Sequence, residues 1–277
     1  MTVAFIEQWL PIEGYRLRVH IHTPSSQSFA TPLVLLHEGL GCIEFWRELP
    51  AALAEDLERQ VLVYDRRGYG GSSPCDTPRG VDYLHIEAHT YLPALLDATG
   101  IQKAVLIGHS DGGSIALLFA ARFPWRCAGV VSEAAHIFVD ETTLAGIRHA
   151  VKAYREGDLR ERLTRYHGAQ TDAVFRAWAD TWLAPWFCPW SIERDIREAA
   201  CPVLAIQGAK DPYGEPAQVE GIAAAVSGPA QVLILPDCGH TPHNEDRKAW
   251  KAAVTDFLAR LSCEEQSKMT VGLRGSG

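Results

Sequence analysis

The chain has 277 residues, 47% of them apolar, which is enough to bury one large α/β core plus an insertion and excludes a largely disordered protein. Its 34 acidic and 26 basic residues leave a net charge of −8 with no Lys/Arg run, which excludes nucleic acid and anionic membrane as expected partners. Met1 to Leu10 has neither a basic n-region nor a long apolar run, and the seven cysteines are scattered without CxxC spacing, so a cytoplasmic protein with reduced thiols is expected.

In chain order, Tyr15 to Ile21 alternates strictly between apolar and polar residues, the mark of a half-exposed antiparallel strand. With Phe5 to Pro11 and the Glu13-Gly14 turn it predicts a hairpin at the sheet edge, leaving His20 and His22 as solvated side chains rather than a metal pair. The runs Leu33 to His37, Gln60 to Asp65, Ala104 to Gly108 and Ala128 to Ser132 are continuously apolar and separated by helical patterns, which implies a parallel sheet covered on both faces.

Between the third and fourth of these runs stands GHSDGG, Gly108 to Gly113, at the junction of an apolar strand and a small-residue helix. A strand, a GxSxG turn and a helix form a nucleophile elbow, in which flanking side chains would collide and only glycine fits. Ser110 is thereby lifted out with its hydroxyl exposed, and the helix start aims backbone N–H groups at what it attacks.

Residues 133–199 keep helical periodicity without a strand candidate, too long for a simple crossover, and read as a helical lid. It carries Trp178, Trp182, Trp186 and Trp190 at a spacing of four. These rings read chiefly as lid core, with Pro185 and Pro189 breaking the helix so that Trp186 faces a substrate pocket. The sheet resumes at Pro202 to Gln207 and at Ala230 to Pro236, and a last helix runs from Glu245 to Leu261. The expected organisation is a core of residues 1–132 and 200–261, a lid of 133–199, and a disordered tail of 262–277 whose Gly275-Ser-Gly277 ending reads as a cloning remnant.

A serine hydroxyl is a weak nucleophile and needs a base oriented by a carboxylate. In open α/β sheets such groups collect beyond the carboxyl ends of strands. That selects Asp211 in Gly208-Ala-Lys-Asp211 and His240 in Asp237-Cys-Gly-His240, in the chain order Ser110, Asp211, His240 used by nucleophile-elbow enzymes. His243 is the rival base but is read as capping the last helix or touching the lid, and Asp237 as a turn residue. A metal set of Asp237, His240 and His243 has no use for an elbow. The oxyanion hole is assigned to the backbone N–H groups of Asp111 and, in the loop His37 to Gly41, Gly39; His37 and His109 are read as packing or hydrogen-bonding residues. The carboxylate of Asp111, about 5 Å from the developing charge at an effective dielectric near 20, would oppose it by roughly 3 kcal/mol. A protein partner, exposure to solvent or a cation on the substrate must offset it.

The landmarks HEGLG, DRRGYGGSS at Asp65 to Ser73, GHSDGG, GAKD and CGH resemble, in order, those of lidded members of the α/β-hydrolase fold, over residues 1–261. GxSDGG followed by Glu141 to Arg148 is similar to the biphenyl hydrolase-like group, whose members cleave esters of α-amino acids. The resemblance implies a serine hydrolase acting on small-molecule carboxylic esters without a cofactor, and a substrate ammonium held by Asp111 with Glu38 or Glu133 nearby. Glu38 departs from the family, many of whose members carry glycine there.

Serine at position 110 removes dehalogenases and epoxide hydrolases, which need a carboxylate nucleophile. Carbon-carbon bond hydrolases of ring-cleavage products and a non-catalytic receptor on the same scaffold remain as alternatives. The sequence leaves the oligomeric state open.

Overall fold

The computed structural model describes residues 3–25, 30–75 and 79–274, with side chains to Ser262. Its centre is an eight-stranded sheet in the order β1-β2-β4-β3-β5-β6-β7-β8. The strands are β1 (Ala4–Ile12), β2 (Tyr15–Thr23), β3 (Leu33–Leu36), β4 (Val61–Tyr64), β5 (Ala104–His109), β6 (Cys127–Glu133), β7 (Val203–Gly208) and β8 (Ala230–Leu235). The β1–β2 hairpin pairs antiparallel with β4 at one edge, and every other pairing is parallel.

Why the central strands are uniformly apolar follows from where alternate residues go. Val34, Leu36, Leu62, Tyr64 and Leu106 enter one core, whereas Leu33, Leu35, Val61, Val63, Val105 and Ile107 enter the other, and all are fully buried. The second face is covered by α1 (Leu49–Leu57) and, further on, by the last helix. The first face is covered by the segment α2 (Tyr83–Ile86), which passes through a π-helical turn at Glu87–Tyr91 into α3 (Leu92–Ala98), and by α4 (Asp111–Arg122). The buried small residues of α4, from Gly112 to Ala120, let its backbone lie close against the sheet.

After β6 comes the insertion predicted after the sixth strand: α5 (Glu141–Glu156), α6 (Leu159–His167) and α7 (Thr171–Trp182), followed by an irregular stretch back to β7. Asp140 caps α5 by accepting a hydrogen bond from the Thr143 N–H at 2.7 Å. Then come α8 (Ala217–Ala225), α9 (Pro242–Glu245) and α10 (Arg247–Arg274). Trp250, Val254, Phe257, Leu258 and Leu261 of α10 fill the second core, each contributing on the order of 1.5–3 kcal/mol by leaving water.

Two boundaries differ from expectation. The final helix is split at Asp246, so His243 lies in the separate one-turn α9. It also runs on to Arg274 where a disordered tail was expected, because Glu264 to Met269 contains good helix formers and no Gly or Pro to stop a helix already anchored upstream. Residues 275–277 lie outside the described residues. Among the described residues no helix is long and apolar enough to cross a membrane.

Candidate active site

The junction of β5 and α4 leaves no room for side chains. A Cβ on Gly108 would stand 2.1 Å from the Gly112 carbonyl oxygen, and one on Gly112 would stand 2.0 Å from the Leu36 carbonyl oxygen. Between them Ser110 adopts φ 54° and ψ −118°, in the left-handed half of conformational space that a side chain disfavours. The conformation is held from both directions: the Ser110 N–H donates to the Glu133 carbonyl at 2.8 Å, and the Ser110 carbonyl accepts from the Gly113 N–H at 2.8 Å.

Asp211 and His240 are brought together by the turns after β7 and β8. A Cβ on Gly208 would sit 2.0 Å from the Gly239 carbonyl oxygen, so only glycine lets the turns touch. His240 Nδ1 lies 2.9 and 2.8 Å from the two carboxylate oxygens of Asp211. Those oxygens also accept from the Tyr213 N–H at 2.8 Å and the Gln207 side-chain amide at 2.6 Å. Burial would raise the Asp211 carboxyl, but His240 and the Tyr213 N–H outweigh it and hold it below its ordinary value. With Nδ1 donating to Asp211, His240 keeps Nε2 free as a base.

Ser110 and His240 line one cavity of about 130 Å³. Gly39, Leu40, Trp178, Trp182 and Tyr213 form much of its wall, and Glu38, Asp111 and His136 add polar groups. A Cβ on Gly39 would meet Trp178 at 2.5 Å, so glycine is what lets α7 close over the oxyanion loop.

Of the alternatives open for Asp111 the structure favours a protein partner, and the expected places of Glu133, His243 and Trp186 come out differently. The Asp111 carboxylate is answered from within the protein: Arg66 Nη1 and Nη2 each lie 3.4 Å from Oδ2, and the Tyr83 hydroxyl donates to Oδ1 at 3.2 Å. Arg66 is itself 1% exposed and donates to the Glu38 carbonyl at 2.8 Å, so the charge offset that Asp111 requires is built in. Glu133 lies at the end of β6, is fully buried and is absent from the cavity wall; it bonds to His243 and Trp250 instead. His243 accordingly does not cap the last helix; it meets Glu133 at the end of β6 and packs against Trp46 with ring centroids 4.8 Å apart. Trp186 is 50% exposed, because α7 ends at Trp182 and the following turn carries Trp186 outward. Trp178 and Trp182, one helical turn apart on the same face of α7, line the cavity in its place, and their i, i+4 spacing was the available signal. Arg66, His136 and Tyr213 carried no such signal, since their nearness to Ser110 arises only from the packing of distant segments.

Glu38 does reach the cavity. Its carboxylate faces His109 Nδ1 at 3.4 Å, while His109 Nε2 donates to the His240 carbonyl at 2.7 Å. Burial would raise the Glu38 carboxyl, yet His109 holds it down at about 2. Burial alone would lower the His109 imidazole, but Glu38 first, and Glu133 behind it, push it up to about 9. His109 therefore contributes stability that is complete below its ordinary value of 6.5 and is lost as pH rises through 9. The span corresponds to a loss on the order of 3 kcal/mol. Urea unfolding at pH 6 and pH 9.5 is expected to show that loss in the wild type and a clearly smaller one in Glu38→Gln; equal losses would mean that the pair does not set the titration.

The metal set Asp237, His240 and His243 is not assembled: Asp237 pairs with Lys210 at the surface, His240 with Asp211 and His243 with Glu133.

A family model described as the alpha/beta hydrolase fold matches residues 31–193. A 2-hydroxy-6-oxo-2,4-heptadienoate hydrolase of Pseudomonas putida is 26% identical over 249 residues, covering 82% of this chain and 89% of that protein. Serine hydrolase BPHL of Homo sapiens is 28% identical over 207 residues, covering 72% of this chain and 69% of that one. Among solved structures, the 2-hydroxy-6-oxo-6-phenylhexa-2,4-dienoate hydrolase of Rhodococcus sp. strain RHA1 superposes with a TM-score of 0.78 at 16% identity, covering 92% of this chain and 99% of that one.

Proposed function

The chain belongs to the alpha/beta hydrolase fold family, and from that premise we propose that it is a serine hydrolase that cleaves carboxylic esters of small acyl groups through an acyl-Ser110 intermediate. The observation that carries this reading is the strained Ser110 at the elbow, facing the same cavity as an imidazole whose far nitrogen is held by Asp211. His240 takes the Ser110 proton as the hydroxyl oxygen attacks the ester carbonyl, and Asp211 stabilises the resulting imidazolium. The oxyanion is received by the backbone N–H groups of Asp111 and Gly39, with the Arg66 guanidinium balancing the Asp111 carboxylate. Collapse expels the alcohol with the proton from His240. Water, activated by the same imidazole, then attacks the acyl carbon and releases the acid. The insertion of residues 133–199 acts as a lid that sets acyl size, with Trp178 and Trp182 as its inner surface.

A cavity of about 130 Å³ suits a short acyl chain. Glu38 and Asp111 are each answered from within the protein, by His109 and Arg66, so the cavity is hospitable to a neutral acyl group. A second reading, carbon-carbon bond hydrolysis of a dienoate, draws on the similarity to the Pseudomonas putida protein. Against it, no Lys or Arg side chain is among the described residues lining the Ser110 cavity, so a dienoate carboxylate would meet no such cation there. On p-nitrophenyl esters, kcat/KM is expected to be at least tenfold higher for acetate than for octanoate, and Trp178→Ala should reduce that preference. Faster turnover of a ring-cleavage dienoate than of every ester would overturn ester hydrolysis in favour of the second reading.

A further inference from the structure

Glu38, His109 and His240 form a chain of contacts in which each member belongs to a different part of the site. Glu38 precedes Gly39 of the oxyanion loop, His109 precedes Ser110 at the end of β5, and His240 is the residue paired with Asp211. The Glu38 carboxylate is folded back into its own turn. A Cβ on Gly41 would stand 2.2 Å from Glu38 Oε2, so glycine at 41 is what makes room for it. The turn is fixed at the Glu38 carbonyl, which accepts from the Gly41 N–H at 3.2 Å and from Arg66 Nη2 at 2.8 Å. From there the carboxylate faces His109 Nδ1 at 3.4 Å, and His109 Nε2 donates to the His240 carbonyl at 2.7 Å.

The two ring nitrogens of His109 therefore meet two acceptors. A neutral imidazole carries one N–H and can answer only one of them, whereas the imidazolium carries two and answers both. The other groups around this ring are turned elsewhere. His240 lies with its ring centroid 5.0 Å away but directs Nδ1 to Asp211, and His243 lies 5.1 Å away but directs Nδ1 to Glu133. Glu133 is in turn divided between His243 and Trp250. His109 is 1% exposed, so bulk water does not replace either contact.

A carbonyl held in this way matters to the imidazole on the same residue. His240 lies between β8 and α9, where no helix or strand ladder fixes its main chain. Asp211 holds one edge of its ring and His109 holds its backbone, and together they decide where Nε2 meets Ser110. A misplacement of about 1 Å in such a constellation can cost on the order of 10²-fold in rate.

Resting on the ester-hydrolase reading, we propose that His109 is a positioning residue: by bridging Glu38 and the His240 carbonyl it sets the separation of the oxyanion donor Gly39, the Ser110 hydroxyl and the His240 imidazole. It does not line the Ser110 cavity and touches no reacting atom. The bridge lasts while His109 keeps both ring protons. Burial alone would lower this imidazole, but Glu38 pushes it up to about 9, so the bridge is complete at neutral pH and is lost as pH rises through 9. Tyr213, whose ring lies 4.8 Å from that of His240, is raised by burial above its ordinary value of 10.0.

The pH dependence of kcat and KM on p-nitrophenyl acetate between pH 6 and 10 tests this on the intact protein, with tryptophan fluorescence reporting the fold at each point. In the wild type kcat is expected to fall at least fivefold from pH 8 to pH 10 while KM stays within about twofold. The midpoint should coincide with loss of a His109 ring proton followed by heteronuclear NMR. Glu38→Gln should lower kcat at neutral pH at least tenfold and move the midpoint down by at least one pH unit, whereas Glu38→Asp, which keeps the charge, should hold it within half a unit. A merely structural role would reduce the folded fraction without moving the midpoint. His109→Gln should lower kcat and abolish the alkaline fall; should it not fold, the Glu38 variants and the NMR titration carry the test. A wild type without ester turnover would overturn the ester reading and this proposal with it. Ester turnover with a flat profile to pH 10, or one midpoint shared by wild type and Glu38→Gln, would overturn the proposal alone.

Discussion

Ser110→Ala and His240→Ala are each expected to lower kcat on p-nitrophenyl acetate by at least about 10⁴-fold, with the double variant little worse than either single one. The non-additivity is the informative part. A nucleophile and its base act as a unit, so once the proton has nowhere to go, removing the hydroxyl as well removes little more. Asp211→Asn should cost about 10⁴-fold for a different reason: an amide placed against Nδ1 favours the tautomer with its proton on Nε2, where it blocks transfer from Ser110. His243→Ala separates the two histidines. Its Nδ1 is engaged by Glu133 at 2.8 Å and it is absent from the cavity wall, so most of the activity of the folded fraction should remain. Activity lost in His243→Ala and kept in His240→Ala would reverse the assignment of the base.

The largest effect on stability is expected at Glu133. One carboxylate oxygen accepts from the backbone N–H of His243 at 2.9 Å and from its Nδ1 at 2.8 Å, and the other accepts from Trp250 Nε1 at 3.0 Å. Burial would raise this carboxyl, but His243 holds it below its ordinary value, so it remains the anion that all three donors require. Glu133→Ala deletes the acceptor from a fully buried position and leaves those donors facing a void. The expected loss is about 3–5 kcal/mol, a large part of the roughly 5–15 kcal/mol that holds an ordinary domain folded. Denaturant unfolding at neutral pH measures it directly; a loss below 1 kcal/mol would show that the cluster is expendable. Glu133→Gln, which keeps one acceptor oxygen, should fall between the two.

What was legible in the sequence is what short spacings decide. Gly108, Ser110 and Gly112 specify an elbow among themselves, and Asp211 and His240 could be placed because each follows an apolar strand by only a few residues. The β1–β2 hairpin was readable from the alternation of Tyr15 to Ile21, and the covered parallel strands from unbroken apolar runs. Long separations carried no such signal. Arg66 meets Asp111 across 45 positions and Trp250 meets Glu133 across 117, and no local pattern marks either pair. Glu133 therefore looked available for substrate when it was already engaged, and the sequence could not choose between a substrate and a protein partner for Asp111. The tryptophan repeat misled for a related reason: a spacing of four keeps residues on one face only while the helix lasts, and α7 stops at Trp182.

The backbone of Ser110 has a meaning for how such a chain persists through generations. A residue held at φ 54° and ψ −118° sits about 1–3 kcal/mol above a relaxed one, and glycine at the same place would relieve most of it. Random substitution therefore offers a standing route to a sturdier protein by way of a single codon, and a lineage that needed only to hold a ligand would have no reason to refuse it. Under the proposed reading, the cost is offset only by what the hydroxyl does, and a serine kept in this conformation fits turnover better than passive binding.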